Sequence, residues 1–202
     1  IKPFSRSIVH QLNCHPFRWR DCLWMHNGDI KDVYALRSHV HATVPRALVE
    51  ELVRGTSDSE LAFALFVHHR RTAPRASLAA SMRHTVRALC GLLAAHATPS
   101  SMNFVAATPG AVVATRFLNS AHEDPPSLYY YRDARCCMLC SEPTTTQLED
   151  ARGAWVLVPK NHLVHIDVRA QRITVHPLPA GGAAHKKRRR RGRRGRRGRR
   201  GQ

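Results

Sequence analysis

Asn27 and Gly28 place two hydrogen-bond donors side by side, the carboxamide of the asparagine and the backbone N–H of the glycine. Two donors that converge on one point can stabilise the oxyanion that develops when a carbonyl carbon is attacked in acyl transfer. The pair follows His26 and the apolar residues 22–25, so we predict a tight turn after a buried strand. Because Asn-Gly is also a common hairpin turn, the dipeptide alone does not establish catalysis.

Further motifs follow in order along the chain. Residues 13–17 read Asn-Cys-His-Pro-Phe, and residues 55–60 read Gly-Thr-Ser-Asp-Ser-Glu. The later segments are residues 103–105, 114–117, 127–130, 141–143, Trp155 and 158–161. Together with His-Asn-Gly at 26–28, these motifs resemble the class II glutamine amidotransferase domain, an N-terminal-nucleophile (Ntn) hydrolase. The later segments resemble its γ-glutamyl hydrolase branch, which includes the glutathione-degrading amidotransferase subunit and the ergothioneine-pathway amidohydrolase.

The resemblance implies roles for particular residues. Asn27 and Gly28 would form the oxyanion hole. Asp58 would hold the α-amino group of the substrate, and His26 would contribute to substrate binding as a scaffold group. On local sequence alone, Asp58 could instead be only a cap at the start of a helix. The implied substrate is glutathione or a related γ-glutamyl compound, with no cofactor and with a peptidase-like subunit as a further partner.

The nucleophile of that family is a cysteine at the mature N-terminus, whose own α-amine acts as the general base. This sequence begins Ile1-Lys2-Pro3, so we predict a fragment that lacks its nucleophile and is inactive as given. The alternative is a non-catalytic remnant. An internal cysteine has no free amine, so Cys14 and Cys22, which precede the predicted turn, are expected to be inert thiols.

The formal charge of +18 is concentrated at one end of the chain. Two lysines and ten arginines between residues 186 and 200 supply two thirds of it, and Arg188 to Arg200 form an Arg-Arg-Gly repeat. We expect a disordered basic tail over residues 180–202 that binds nucleic acid or acidic partners. The alternative is a lineage-specific extension without function. Residues 1–179 would then form one partial amidotransferase-like domain.

The pattern of apolar residues predicts an α+β protein. Helices are expected from Pro45 to Gly55, after a cap at Ser57 or Asp58, and from Ser77 onward. Strands are expected over residues 102–108, 111–118 and 154–158, around 164–168, and around 173–175. This order is compatible with the incomplete αββα Ntn sandwich, with mostly antiparallel sheets, that the resemblance implies.

Composition limits the possible classes of protein and the compartment in which it would occur. A hydrophobic fraction of 43% excludes wholesale disorder, and no apolar run reaches the ~18–20 residues of a membrane span. Six cysteines give no disulfide framework for a small scaffold, which favours the cytoplasm, or the nucleus if the basic tail acts as an import signal. Cys136, Cys137 and Cys140 are not expected to bind zinc, because His162 and His165 would face opposite sides of a strand.

Overall fold

The computed structural model describes residues 10–94, 99–143 and 155–179. The predicted basic tail, residues 180–202, lies outside the described residues. Within them the chain has a single run of four helices, with two strands before it and seven after it. The helices are α1 (Val33–Thr43), α2 (Arg46–Leu52), α3 (Asp58–Thr72) and α4 (Leu78–Leu93). The strands are β1 (Phe17–Trp19), β2 (Cys22–Asp29), β3 (Ser101–Thr108), β4 (Ala111–Arg116), β5 (Tyr129–Arg132), β6 (Cys137–Cys140), β7 (Val156–Leu157), β8 (His162–Asp167) and β9 (Arg172–Pro177).

The strands form two sheets. The larger has the order β1-β2-β3-β4-β8-β9 and the smaller has the order β6-β5-β7, and every described pairing is antiparallel. Alternate residues of the large sheet point to opposite faces. Phe104 and Val113 pack with the helices, whereas Val105 and Val112 pack with the small sheet. The described residues therefore form a helical layer and two sheets, and the predicted α+β class is confirmed.

The helical face of the large sheet is packed around Trp24. Its ring centroid lies 4.7 Å from that of Phe104, 4.9 Å from Phe66 and 5.9 Å from Phe63. Helix α3 is buried along residues 58–67, of which 61–67 are all apolar and 58–60 are polar. These contacts fix α3, and with it the acidic residues of its first turn, against the middle of β2 and β3.

The helix starts follow local capping chemistry. Ser57 caps α3, and it forms a capping box with Glu60, so Asp58 is the first residue of the helix. Ser77 caps α4 by accepting a hydrogen bond from the N–H of Ala80. Pro45 precedes α2 as predicted. None of the described helices is long and apolar enough to cross a membrane.

The prediction of a tight turn at Asn27-Gly28 is wrong. Both residues lie within β2, where they pair with Asn103 and Met102 of β3. No described glycine has a positive φ, so conformational freedom does not explain Gly28. Lack of space explains the glycine, because a Cβ atom there would contact the Ser101 carbonyl oxygen and come within 2.7 Å of His26 Nε2. Glycine therefore permits close packing of the strands at this point.

Candidate active site

A cavity of about 700 Å³ lies between the two sheets. The large sheet contributes side chains from β2, β3, β4 and β8, and the opposite wall comes from β6 and from Ser127 and Leu128. His15 and Asn27 are also on the wall. The cavity thus opens where the Asn-Cys-His-Pro-Phe and His-Asn-Gly segments meet, which makes it the natural candidate for a substrate site.

Asn27 projects from β2 on the face of the sheet that borders the cavity. Its side chain is exposed, and within the described part of the chain it makes no hydrogen bond. Asn103, directly opposite on β3, is different: its Nδ2 donates to the Pro126 carbonyl at 2.8 Å and its Oδ1 accepts from the Phe117 N–H at 3.1 Å. Both polar atoms of the Asn103 side chain therefore make structural hydrogen bonds, while the carboxamide of Asn27 is available to a ligand.

His26 is a buried connector between β2, β3 and α3. Its Nε2 lies 3.0 Å from the Ser101 carbonyl oxygen, and its Nδ1 lies 3.0 Å from Ser59 Oγ. A carbonyl can only accept, so Nε2 carries the proton and Nδ1 accepts from the serine hydroxyl. Burial lowers the pKa of His26, which favours this neutral form. The ring fixes the position of the strand immediately before Asn27.

Asp58 lies at the other end of the His-Asn-Gly segment. Its Oδ2 accepts a hydrogen bond of 2.8 Å from the Ile30 N–H and is 3.9 Å from His26 Nδ1. The carboxylate is 7% exposed and is not part of the cavity wall. The structure therefore brings Asp58 beside the segment that carries Asn27 and Gly28, but behind the strand end and outside the cavity lining.

The loop that leads into Asp58 is held from two sides. Glu60 Oε1 accepts from the N–H groups of Arg54 and Gly55, at 3.0 and 2.8 Å. Asn13 Oδ1 accepts from the Thr56 N–H at 3.0 Å. A Cβ at Gly55 would contact Asn13 Oδ1 and come within 2.7 Å of Glu60 Oε2, so a larger residue here would have to displace the two side chains that hold the loop. These contacts join the motif at 13–17 to the motif at 55–60.

Sequence reasoning missed the part played by Arg116 and by Ser100-Ser101. Arg116 is buried, and its guanidinium donates to the carbonyls of Pro125, Pro126 and Val158 at 3.2 Å each. The Ser101 hydroxyl accepts from the Asp29 N–H at 3.0 Å. The segment at 114–117 matched a family strand, but nothing local shows that its arginine holds the chain that crosses to the second sheet.

The cysteines occupy different environments. Cys22 faces the helical core, and burial raises its pKa to about 11, so it stays a protonated thiol. Cys137 and Cys140 border the cavity on β6. No group of three or more histidine, cysteine or acidic side chains among the described residues is arranged to hold a metal ion. The described thiols of β6 are therefore wall residues of the cavity.

Comparisons with known proteins support this fold. The chain is 24% identical over 214 residues to the yeast (Saccharomyces cerevisiae) protein named probable glutamine amidotransferase DUG3, a match that covers 88% of this chain and 58% of that protein. The chain thus spans less than two thirds of the length of this relative. No protein-family model matches.

Solved structures show the same architecture. A glutamine aminotransferase class-II domain protein from Silicibacter pomeroyi superposes with a TM-score of 0.65 at 23% identity, covering 85% of this chain and 73% of that one. The glutamine phosphoribosylpyrophosphate amidotransferase of B. subtilis gives a TM-score of 0.58 at 12% identity, covering 85% and 33%. The chain therefore has a glutamine amidotransferase-like fold, and its sequence is homologous to that of DUG3.

Proposed function

We propose that this chain carries the acyl-binding part of a glutamine amidotransferase-like site that acts on γ-glutamyl amides. The observation that supports the proposal most directly is the Asn27 carboxamide, which faces the cavity while its neighbours on β2 and β3 are fixed by hydrogen bonds. Preorganised donors of this kind stabilise developing negative charge without reorganising during the reaction.

In the reaction we propose, a nucleophile attacks the γ-carbonyl carbon of the substrate, and the carbonyl oxygen becomes an oxyanion that accepts hydrogen bonds from Asn27 Nδ2 and the Gly28 N–H. The C–N bond then breaks, and the amine leaves with the proton that the general base, the N-terminal α-amine in the family that the chain resembles, has taken from the nucleophile. Water hydrolyses the acyl intermediate, which releases glutamate and regenerates the nucleophile. In the family that the chain resembles, this nucleophile is an N-terminal cysteine thiolate. The residues described here would bind the acyl group and its oxyanion.

Asp58 is proposed to receive the α-ammonium group of the glutamyl moiety. Its carboxylate is oriented by the Ile30 N–H, and its position at the start of α3 lies beside the proposed oxyanion donors. We extend the proposal to glutathione and related γ-glutamyl compounds as substrates, and to a peptidase-like partner subunit, on the family resemblance. The alternative to an enzyme is a non-catalytic remnant that retains this fold.

Binding of L-glutamate to the full chain tests the proposal, because the γ-carboxylate of this product places negative charge where the oxyanion would form. Calorimetric titration should show that Asn27→Ala and Asp58→Asn each weaken L-glutamate binding roughly tenfold, as expected for a lost hydrogen bond to a charged group. Asp58→Asn should leave the binding of 2-oxoglutarate unchanged, because that ligand lacks the ammonium group.

Asp21→Asn, at an exposed position in the turn between β1 and β2, is the matched control and should leave both affinities unaltered. Equal glutamate affinity in the wild type and both site variants would remove the basis for the proposed function. Binding that depends on Asn27 and not on Asp58 would retain the oxyanion site and remove the ammonium site.

A further inference from the structure

The cavity changes from polar to apolar along the strands that form it. On β2, Asn27 and Met25 point to the same face, and their partners on β3 are Asn103 and Val105. Residues two apart on a strand are separated by about 7 Å. One row of paired amides is therefore followed, about 7 Å further along, by a row of apolar side chains.

The apolar part of the cavity is extensive. Val105 is followed on the same face by Ala107, which pairs with Val112 of β4, and Val112 pairs with Ile166 of β8. Leu139 of the small sheet closes the opposite side. A volume of about 700 Å³ lies within the ~300–1,000 Å³ that usually accommodates a drug-sized ligand, and this is more than a glutamyl group requires.

The orientation of a bound γ-glutamyl amide follows from the order of groups along β2. Asp58 contacts Ile30, just beyond the C-terminal end of β2. From there towards the N-terminal end of the strand, Gly28 and Asn27 come first and Met25 follows. Because Asp58 lies outside the cavity wall, beyond the end of β2, a glutamyl group with its carbonyl oxygen at Asn27 must extend past that strand end to bring its ammonium group to Asp58. Its amide nitrogen then points away from Asp58. Its substituent is therefore directed towards Met25 and Val105.

We propose that the apolar part of the cavity binds the substituent on the amide nitrogen, so that the site prefers γ-glutamyl amides of apolar amines to glutamine itself. This inference rests on the proposed function, since it uses the same oxyanion and ammonium contacts. The unsubstituted carboxamide of glutamine has no apolar group that could pack against this wall. An alkyl chain there removes apolar surface from water, and each buried methylene contributes about a fourfold gain in affinity.

Calorimetric titration of the full chain with L-glutamine, γ-L-glutamyl ethylamide and γ-L-glutamyl pentylamide tests the inference. We expect the dissociation constant to fall along this series, with the pentylamide bound at least about tenfold more tightly than glutamine. Pentylamine alone should bind much more weakly than the pentylamide, because it lacks the glutamyl contacts.

Met25→Glu supplies the matched test, because Met25 is 41% exposed and its replacement leaves the buried core intact. It should abolish the gain from the alkyl chain, so that the variant binds glutamine and the pentylamide with equal affinity. Leu23→Glu is the control: Leu23 is 40% exposed on the same face of β2, but it is not part of the cavity wall, so the gain should persist.

The outcomes separate the inference from the proposed function. Equal affinity for glutamine and the pentylamide, or a gain that survives Met25→Glu, would overturn the inference and leave the γ-glutamyl site standing. Binding of pentylamine as tight as that of the pentylamide would overturn both, because the cavity would then recognise the alkyl chain without the glutamyl group.

Discussion

Asn13 Oδ1 accepts a hydrogen bond of 3.0 Å from the backbone N–H of Thr56, which lies 43 positions further along the chain. The contact joins the short 3₁₀ turn at Gln11–Asn13 to the loop that positions Asp58 at the start of α3. Two motifs that are distant in the sequence thus form one structural unit at the edge of the candidate site.

Replacing Asn13 by alanine should loosen this unit. The Thr56 N–H loses its acceptor, so we expect the free energy of unfolding to fall by about 1 kcal/mol, and L-glutamate binding through Asp58 to weaken with it. Urea denaturation and calorimetry would measure the two effects. Gln11→Ala, at an exposed position in the same turn, should change neither; an unchanged stability in Asn13→Ala would show that the contact does not hold the loop.

Gly28→Ala tests whether the strand at the proposed oxyanion site needs glycine for space. The new Cβ would come within 2.7 Å of His26 Nε2 and 2.8 Å of Ser101 Oγ, so we expect a destabilisation of about 1–3 kcal/mol in thermal or urea unfolding. The matched variant is Gly91→Ala in α4, where a Cβ meets nothing within 4 Å. That change should be neutral or stabilising by up to about 1 kcal/mol.

Asn27→Ala should affect catalysis more than substrate binding. If Asn27 donates to the oxyanion, kcat for γ-glutamyl amide hydrolysis should fall by ~10²–10³ in a catalytically competent form of the protein, with little change in KM. Asn27→Asp should be at least as harmful, because a carboxylate repels the developing charge. A steady-state assay that returns the wild-type kcat for Asn27→Ala would exclude the oxyanion role.

The helical layer should lose stability in mild acid because of His69. Its Nδ1 lies 2.9 Å from Thr85 Oγ1, and its ring centroid is 4.1 Å from that of His84. Burial, together with the neighbouring His84, His68 and His39, lowers the pKa of His69 to about 4. An unfolded histidine has a pKa of about 6.5, so between these two values the unfolded state takes up the proton more readily.

The free energy of unfolding should therefore be fully retained above pH ~6.5 and should decline as the pH falls towards about 4. After allowance for solvent screening, we expect a contribution of about 1–2 kcal/mol from His69. Urea denaturation as a function of pH should show a shallower decline for His69→Asn. His41→Asn, at an exposed position on α1, should follow the wild-type profile, and identical profiles for all three proteins would contradict the assignment.

The arginine-rich segment should bind nucleic acid through its charge alone. We propose that Arg188 to Arg200 neutralise phosphates, so affinity for single-stranded RNA should fall at least roughly tenfold between 50 and 200 mM salt. Removal of residues 186–202 should abolish the binding. Replacement of the ten arginines by glutamine, which keeps the length, should do the same, whereas affinity that does not vary with salt would rule out a phosphate-neutralising tail.

Local signals in the sequence were sufficient for much of the fold. Ser57 and Ser77 indicate the starts of α3 and α4 because their hydroxyls satisfy first-turn N–H groups. Pro109-Gly110, between the strands predicted over 102–108 and 111–118, is typical of the turn that joins β3 to β4. Helix α1 was missed because it buries only Leu36 and Val40, and Tyr34 is 79% exposed, so its apolar stripe is weak.

The site was harder to predict than the fold. Asn27-Gly28 has the composition of a turn, but pairing with β3 across seven consecutive residues overrides that local preference. The connecting functions of His26, Asn13 and Arg116 depend on partners that are far away in the sequence, and a local pattern contains no information about them. The family resemblance suggested which residues form the site, whereas the contacts between them required coordinates.

Arg116 also determines how the two sheets are held together. The guanidinium of Arg116, on β4 of the large sheet, holds the carbonyls of Pro125, Pro126 and Val158, which lie before β5 and directly after β7 of the small sheet. A single side chain thus links the two β layers, and its loss would leave three carbonyls without their donor, so the wall of the cavity would lose an anchor to the large sheet.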